Sequence, residues 1–151
     1  MTKLQEYVKS ASDAAVIANH LITKTFPLSS DPKVLLSVLK NIKISHDNIF
    51  LAVLDNEFLR PKVSIDASFI VKFDRLKQLV IEKKLLEESE LKVLVDVHND
   101  WLIHKESDVE FARKNDLIMA DEDYSLKKLN SNLLKEYISK TNVILKKLFK
   151  V

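Results

Sequence analysis

The sequence contains neither glycine nor cysteine. Glycine averages about 7% of protein residues. Phosphate-binding loops, dinucleotide-binding turns and the nucleophile elbow of serine hydrolases need it, because their backbones take positive φ or approach a ligand closely. Its absence argues against most nucleotide-dependent enzymes, most serine hydrolases and hairpins with Asn-Gly turns. The lack of cysteine excludes disulfides and thiolate metal sites.

Long hydrophobic runs are missing as well. The longest, residues 49–54, is far shorter than the roughly 20 residues that a membrane span needs. The N-terminal residues resemble the start of a helix rather than a signal segment, so we expect a cytoplasmic protein with no membrane partner. A length of 151 residues with 46% hydrophobic and 30% charged residues fits one globular domain, residues 1–151.

Arginine is scarce. Arg60, Arg75 and Arg113 are the only arginines, and every other basic residue is lysine. Lysine is a flexible point charge, whereas arginine is the planar fork that grips phosphates and base edges. The net charge of +2 does not by itself indicate nucleic-acid binding.

Apolar residues that recur every three or four positions predict five helices. Thr2 and Gln5 have the spacing of a capping box at the start of the first helix. Asp31-Pro32 fits the start of the second helix, with Asp31 as the N-cap and Pro32 at the first helical position. We expect Phe26-Pro27 to end the first helix and Arg60-Pro61 the second. The predicted helices cover about residues 3–25, 31–59, 66–86, 89–104 and 130–151.

Residues 92–97 are rich in valine and also fit a strand. We favour a helix, because Glu87, Glu88, Ser89 and Glu90 make a helix start and the neighbouring segments are helical.

The helical pattern breaks between residues 107 and 129, which we call the flap. Two short β-like runs, residues 109–111 and 117–119, lie on either side of a turn signal at residues 114–116. The fold prediction is therefore all-α: an up-down antiparallel bundle of about five helices, with a small β-hairpin-like flap between the last two.

The flap is the first candidate binding site, because binding residues often lie on irregular segments held by a rigid scaffold. Its candidates are Glu110, Arg113, Lys114 and Tyr124. The alternative is a solvated hairpin in which Arg113 pairs locally with Glu110 or Asp121.

Two histidines, His46 and His98, interrupt apolar helix faces, and Trp101 follows His98 on the same face. A histidine in such a position is commonly a core residue whose ring nitrogens bond to neighbours. The functional alternative is a polar pocket within the bundle, formed with Ser45 and His20.

A metal site has little support. No Glu-x-x-His motif of the di-iron bundles occurs. Asp100 and His104 have the i, i+4 spacing of two ligands, but the same spacing fits a surface pair. We expect no metal and no cofactor.

The last helix is basic. Its lysines could follow a phosphate backbone, or they could form an ordinary solvated face. These candidates for nucleic-acid binding are Lys135, Lys140, Lys146, Lys147 and Lys150.

Two segments carry a family resemblance. Residues 14–54, with Pro27-Leu28 and Asp31-Pro32-Lys33 between two helices, resemble HEPN-type helical bundles and a group of uncharacterised archaeal small proteins. Residues 106–114 resemble the archaeal proteins too. HEPN-type ribonucleases carry an arginine followed, after four to six residues, by a histidine on one helix, and this chain has no such pair. The resemblance therefore implies a non-catalytic bundle that binds partners, RNA or nucleotides, or dimerises.

The leading functional hypothesis is a non-enzymatic module that binds a protein partner or itself. The alanine-rich face of the first helix and the aromatic residues of the second and third helices would supply the interface. The first alternative is an RNA-associated bundle that uses the lysines and Arg113. The second is an enzyme that uses His46, His98 or the flap carboxylates.

Overall fold

The computed structural model describes residues 1–55, 68–120, 123 and 125–151. Over these ranges the fold is mostly helical, with five long helices, one four-residue helical turn and a three-stranded antiparallel sheet before the last helix. The helices are α1 (Lys3–His20), α2 (Phe26–Ser29), α3 (Lys33–Asp55), α4 (Phe69–Lys83), α5 (Glu88–Glu106) and α6 (Ser131–Phe149). The strands are β1 (Glu110–Arg113), β2 (Asp116–Ala120) and β3 (Leu126–Leu129).

The predicted end of the first helix at Phe26-Pro27 is wrong. The helix continues through one wide π-helical turn, Leu21–Thr25, into α2, and the N–H of Phe26 donates to the carbonyl of Leu21. A proline ring clashes with the carbonyl four residues earlier in a regular α-helix, and the wider turn before Pro27 relieves that clash. The chain leaves the helix only at Ser30, whose φ is 52°.

The start of the first helix follows the sequence signal. The capping box is present, since Gln5 N–H donates to Thr2 Oγ1 at 3.2 Å and Thr2 N–H donates to Gln5 Oε1 at 2.9 Å. The valine-rich segment lies within α5, as predicted. The predicted end of the second helix at residues 59–61 lies outside the described residues.

The helix α4 is shorter than predicted. It begins after Ser68, whose side chain caps it, and ends before Lys84, which takes a left-handed conformation with φ 52°. On its inner side, Leu76 and Val80 are buried, whereas Phe69 and Phe73 are half-buried.

The flap is a three-stranded sheet in the order β1-β2-β3 rather than a lone hairpin. The predicted hairpin of β1 and β2 is confirmed, with Arg113 opposite Asp116 across a tight turn in which Lys114 has φ 57°. The third strand was missed, because its sequence Leu-Lys-Lys-Leu lacks the apolar–polar alternation that signals a strand.

The core consists of two apolar clusters with a polar layer between them. On α3, Ile42 belongs to one cluster and Ile49 to the other, and Ser45 and His46 lie between them. The inner face of the sheet joins the first cluster through Leu117, Met119 and Leu129. No helix among the described residues is long and apolar enough to cross a membrane.

Candidate functional site

The polar layer is built from α1, α3 and α6. Ser45 Oγ donates to the carbonyl of Ala11 at 2.8 Å. His46 Nε2 lies 2.7 Å from Thr141 Oγ1. The Thr141 hydroxyl itself donates to the carbonyl of Tyr137 at 2.8 Å. Three helices are therefore tied together at one level of the core.

These contacts define the tautomer of His46. The single hydroxyl proton of Thr141 is used on the Tyr137 carbonyl, so Nε2 of His46 must carry the proton that Thr141 Oγ1 accepts. Nδ1 is then a bare acceptor, and no described group bonds to it. Burial, followed by the charge of Lys43, lowers the pKa of His46 to about 3. The imidazole is neutral at physiological pH.

His98 occupies a different environment. Its ring stacks on Phe69 with centroids 3.7 Å apart and planes within 7°. Lys43 Nζ lies 5.5 Å from the Phe69 centroid and 2.7 Å from Asp47 Oδ1. Burial, then Lys43, lowers the pKa of His98. The stack holds the start of α4 against α5.

The predicted pocket of histidines is not formed by the described residues. His46 bonds to α6, whereas His98 stacks on α4, and no described contact joins the two rings. His20 is exposed. His46 is only 1% exposed, so its ring does not face solvent. Trp101 is half-buried against the first cluster, with the His104 ring 5.2 Å away and Lys105 Nζ 5.7 Å away.

A buried network that the sequence did not reveal fixes the sheet to the helices. The Tyr137 hydroxyl donates to Asp100 Oδ2 at 2.6 Å, and Lys127 Nζ of β3 lies 3.4 Å from Asp100 Oδ1. Burial raises the pKa of Asp100, although Tyr137 and Lys127 oppose the rise. Burial and then Asp100 raise the pKa of Tyr137.

A second contact fixes the start of β1 to α5. His104 Nδ1 on α5 lies 2.9 and 3.1 Å from the two Glu110 carboxylate oxygens. The alternative of a surface pair of Asp100 and His104 is therefore wrong, because Asp100 is buried on Tyr137 and His104 contacts the sheet. Across the described ranges, no group of three or more His, Asp and Glu residues could hold a metal ion.

The tip of the flap presents positive charge to solvent. Arg113 and Lys114 are exposed. The expected local partner Glu110 is taken by His104, and no described carboxylate pairs with Arg113. Asp121 and the candidate Tyr124 lie outside the described residues. Lys128 adds a third cation and lies 3.6 Å from Asp116.

The outer face of the sheet is apolar beside that tip. Strand residues alternate between the two faces of a sheet, and Leu117, Met119 and Leu129 point into the core. The pairs between them in the register, such as Phe111 with Ile118 and Ala120 with Leu126, therefore lie on the outer face. We call its exposed apolar residues the outer patch: Val109 (53% exposed), Phe111 (43%) and Leu126 (67%). Ile118 lies between them on the same face and is buried.

The predicted interface on α1 is wrong. The alanine-rich face is buried in the core, where small side chains let α1 and α3 approach closely, as the bond from Ser45 to Ala11 shows. The aromatic residues of α3 and α4 also pack on one another, with Phe50 edge-on to Phe69 at 5.5 Å and Phe69 stacked on Phe73 at 5.8 Å.

The lysines of α6 do not form one free basic face. Lys147 Nζ bonds to buried Glu90 at 2.5 Å, and this bond raises the pKa of Lys147. Lys140 Nζ reaches Ser89 Oγ at 3.5 Å. Lys135, Lys146, Lys147 and Lys150 are exposed, and of these only Lys147 bonds to a described carboxylate.

Comparison with known proteins adds no relative. No protein-family model, curated protein or solved structure matches the chain. The resemblance to HEPN-type bundles therefore stays a prediction.

Proposed function

We propose that the chain is a non-enzymatic interaction module that binds another protein chain through its three-stranded sheet. The observation that carries this proposal is the outer patch: three large apolar side chains are exposed on one small sheet face, beside the exposed cations Arg113 and Lys114. Contiguous apolar surface with a polar border is typical of protein–protein contacts.

The attachment of the sheet supports the same role. Lys127 on Asp100 and His104 on Glu110 hold its inner side against α5. A surface fixed in this way loses little conformational entropy when a partner binds. We infer that the helices behind it pack as an up-down antiparallel bundle, since the link between α4 and α5 is only residues 84–87.

The histidines favour this reading over an enzyme. His46 is buried and neutral, and His98 is held in a ring stack. Neither meets a second titratable group in the described residues in the geometry that general acid–base catalysis requires.

RNA binding remains the alternative, and it has less support. Lys140 and Lys147 of α6 bond to Ser89 and Glu90 at the start of α5. The acidic residue Glu90 therefore lies against the basic helix. Residual RNA affinity would have to come from Lys135, Lys146, Lys150 and Arg113, and it would fall steeply with salt.

Site-specific photo-cross-linking tests the proposal. Phe111 is replaced by p-benzoylphenylalanine, and the chain is irradiated in the cells that make it. The matched control places the same residue at Val16 of α1, which is 65% exposed. We expect a discrete adduct with another protein chain, identical or different, from position 111 only. Equal cross-linking from both positions, or none from position 111, would contradict an interface on the sheet.

A further inference from the structure

Backbone groups along the edge of β1 have no partner among the residues that the structure describes. Ala120 N–H donates to the carbonyl of Val109 at 3.1 Å, which makes Val109–Ala120 a hydrogen-bonded pair. Hydrogen-bonded and non-hydrogen-bonded residue pairs alternate along an antiparallel ladder. The N–H and C=O groups of Glu110 and Ala112 therefore point away from β2. No described residue bonds to them, and an open edge of this kind is a template for another strand.

Charge is distributed along this segment with opposite signs at its two ends. Asp108 precedes β1 and Lys114 follows it, at equal distances from Phe111, and both are exposed. An antiparallel copy of the same segment therefore brings each acid opposite a base.

We propose that the partner is a second copy of this chain, which pairs with it antiparallel through the β1 edge about a two-fold axis at Phe111. This inference rests on the proposed function and deepens it. The register places Glu110 opposite Ala112 of the second copy, and the reverse, so the four free backbone groups of each edge are satisfied. A two-fold axis makes this contact isologous and closed.

Side chains agree with that register on both faces. Phe111 meets Phe111 of the second copy at a non-hydrogen-bonded position, where side chains come closest. Lys114, in the turn that follows β1, comes near Asp108 of the second copy, twice by symmetry. No like charges lie directly opposite, and the outer patches of the two copies become one continuous surface across a six-stranded sheet.

Charge reversal tests the register on the purified full chain. The variants are Asp108→Lys and Lys114→Asp, and sedimentation velocity over a concentration series gives the dimer affinity. We expect the unmodified chain to dimerise and each variant alone to weaken the dimer at least roughly tenfold, because like charges then face each other. An equimolar mixture of the two variants should regain the dimer, since both cross-strand pairs become opposite in sign again. The control for folding is thermal unfolding at a concentration too low for the dimer, where each variant should match the parent chain.

Three results would overturn the proposal: a monomer at every concentration, dimers indifferent to both reversals, or a mixture that stays monomeric. If the purified chain stays monomeric while position 111 still cross-links to a different protein in cells, this inference fails and the proposed function stands.

Discussion

The hydroxyl of Tyr137 on α6 donates to the Asp100 carboxylate on α5 across 2.6 Å, although the two residues are 37 positions apart in sequence. Asp100 is 3% exposed, and Lys127 supplies its second contact from the sheet. One buried carboxylate therefore joins two helices and β3.

Replacing Tyr137 with phenylalanine should lower the free energy of unfolding by roughly 1.5–3 kcal/mol, the usual range for a bond to a charged group. The ring packing is kept, but Asp100 loses its donor inside the core. Urea denaturation measures the loss. Tyr7→Phe is the control, since no described residue bonds to that hydroxyl, and an equal loss in both variants would contradict the role of the bond.

Acid should destabilise the fold through His46. Its pKa is about 3 in the folded chain and 6.5 in the unfolded chain, so the unfolded chain binds the extra proton between these values. The contribution of His46 to the free energy of unfolding is complete above pH 6.5. It falls by about 1.4 kcal/mol per pH unit below that value, until about pH 3. The lowered pKa of His98 adds to this slope. The raised pKa of Asp100 opposes the slope in the acidic range where carboxylates titrate.

Urea unfolding between pH 7 and pH 5 isolates the histidine part of this dependence. His46→Gln should remove most of the slope, whatever it does to the stability itself. His20→Gln, on an exposed position of α1, should leave the slope intact. A His46 variant with the slope of the parent chain would place the proton uptake elsewhere.

Local signals predicted the helical parts of the fold well. Caps such as Thr2 and Asn130 mark helix starts, and the period of the apolar residues marks the buried faces. The signals failed where distant residues decide. Pro27 stays helical because the preceding turn widens, and β3 forms because β2 offers it a partner.

The candidate site was harder to predict for the same reason. Arg113 and Lys114 are exposed at the flap tip, and their position was readable as a turn signal. The contact of His104 with Glu110 and that of Lys127 with Asp100 depend on how the sheet packs on α5, which no periodicity encodes.

Replacing Thr141 with valine keeps the shape of the side chain and removes the acceptor of His46 Nε2–H. An unsatisfied buried donor costs about 1–3 kcal/mol, so the free energy of unfolding should fall by that amount. Thr23→Val is a matched control, because Thr23 also donates to the carbonyl four residues earlier but is exposed. Equal effects of the two changes would show that the bond to His46 contributes nothing.

Lys147 and Lys146 are neighbours with different surroundings. Lys147→Met leaves the buried Glu90 carboxylate without its cation, whereas exposed Lys146 contacts no described carboxylate. Thermal unfolding should therefore show a lower Tm for Lys147→Met than for Lys146→Met. A Tm for Lys146→Met equal to or below that for Lys147→Met would place Glu90 in water rather than in the core.

The central claim is that the β1 edge receives another strand, and hydrogen exchange at the Ala112 amide tests it most directly. Exchange is followed in the purified chain at low and at high micromolar concentration, with the Lys128 amide on the opposite edge of the sheet as the internal reference. We predict that Ala112 exchange slows as concentration rises while Lys128 exchange does not change. Fast exchange at Ala112 at both concentrations would contradict a paired β1 edge.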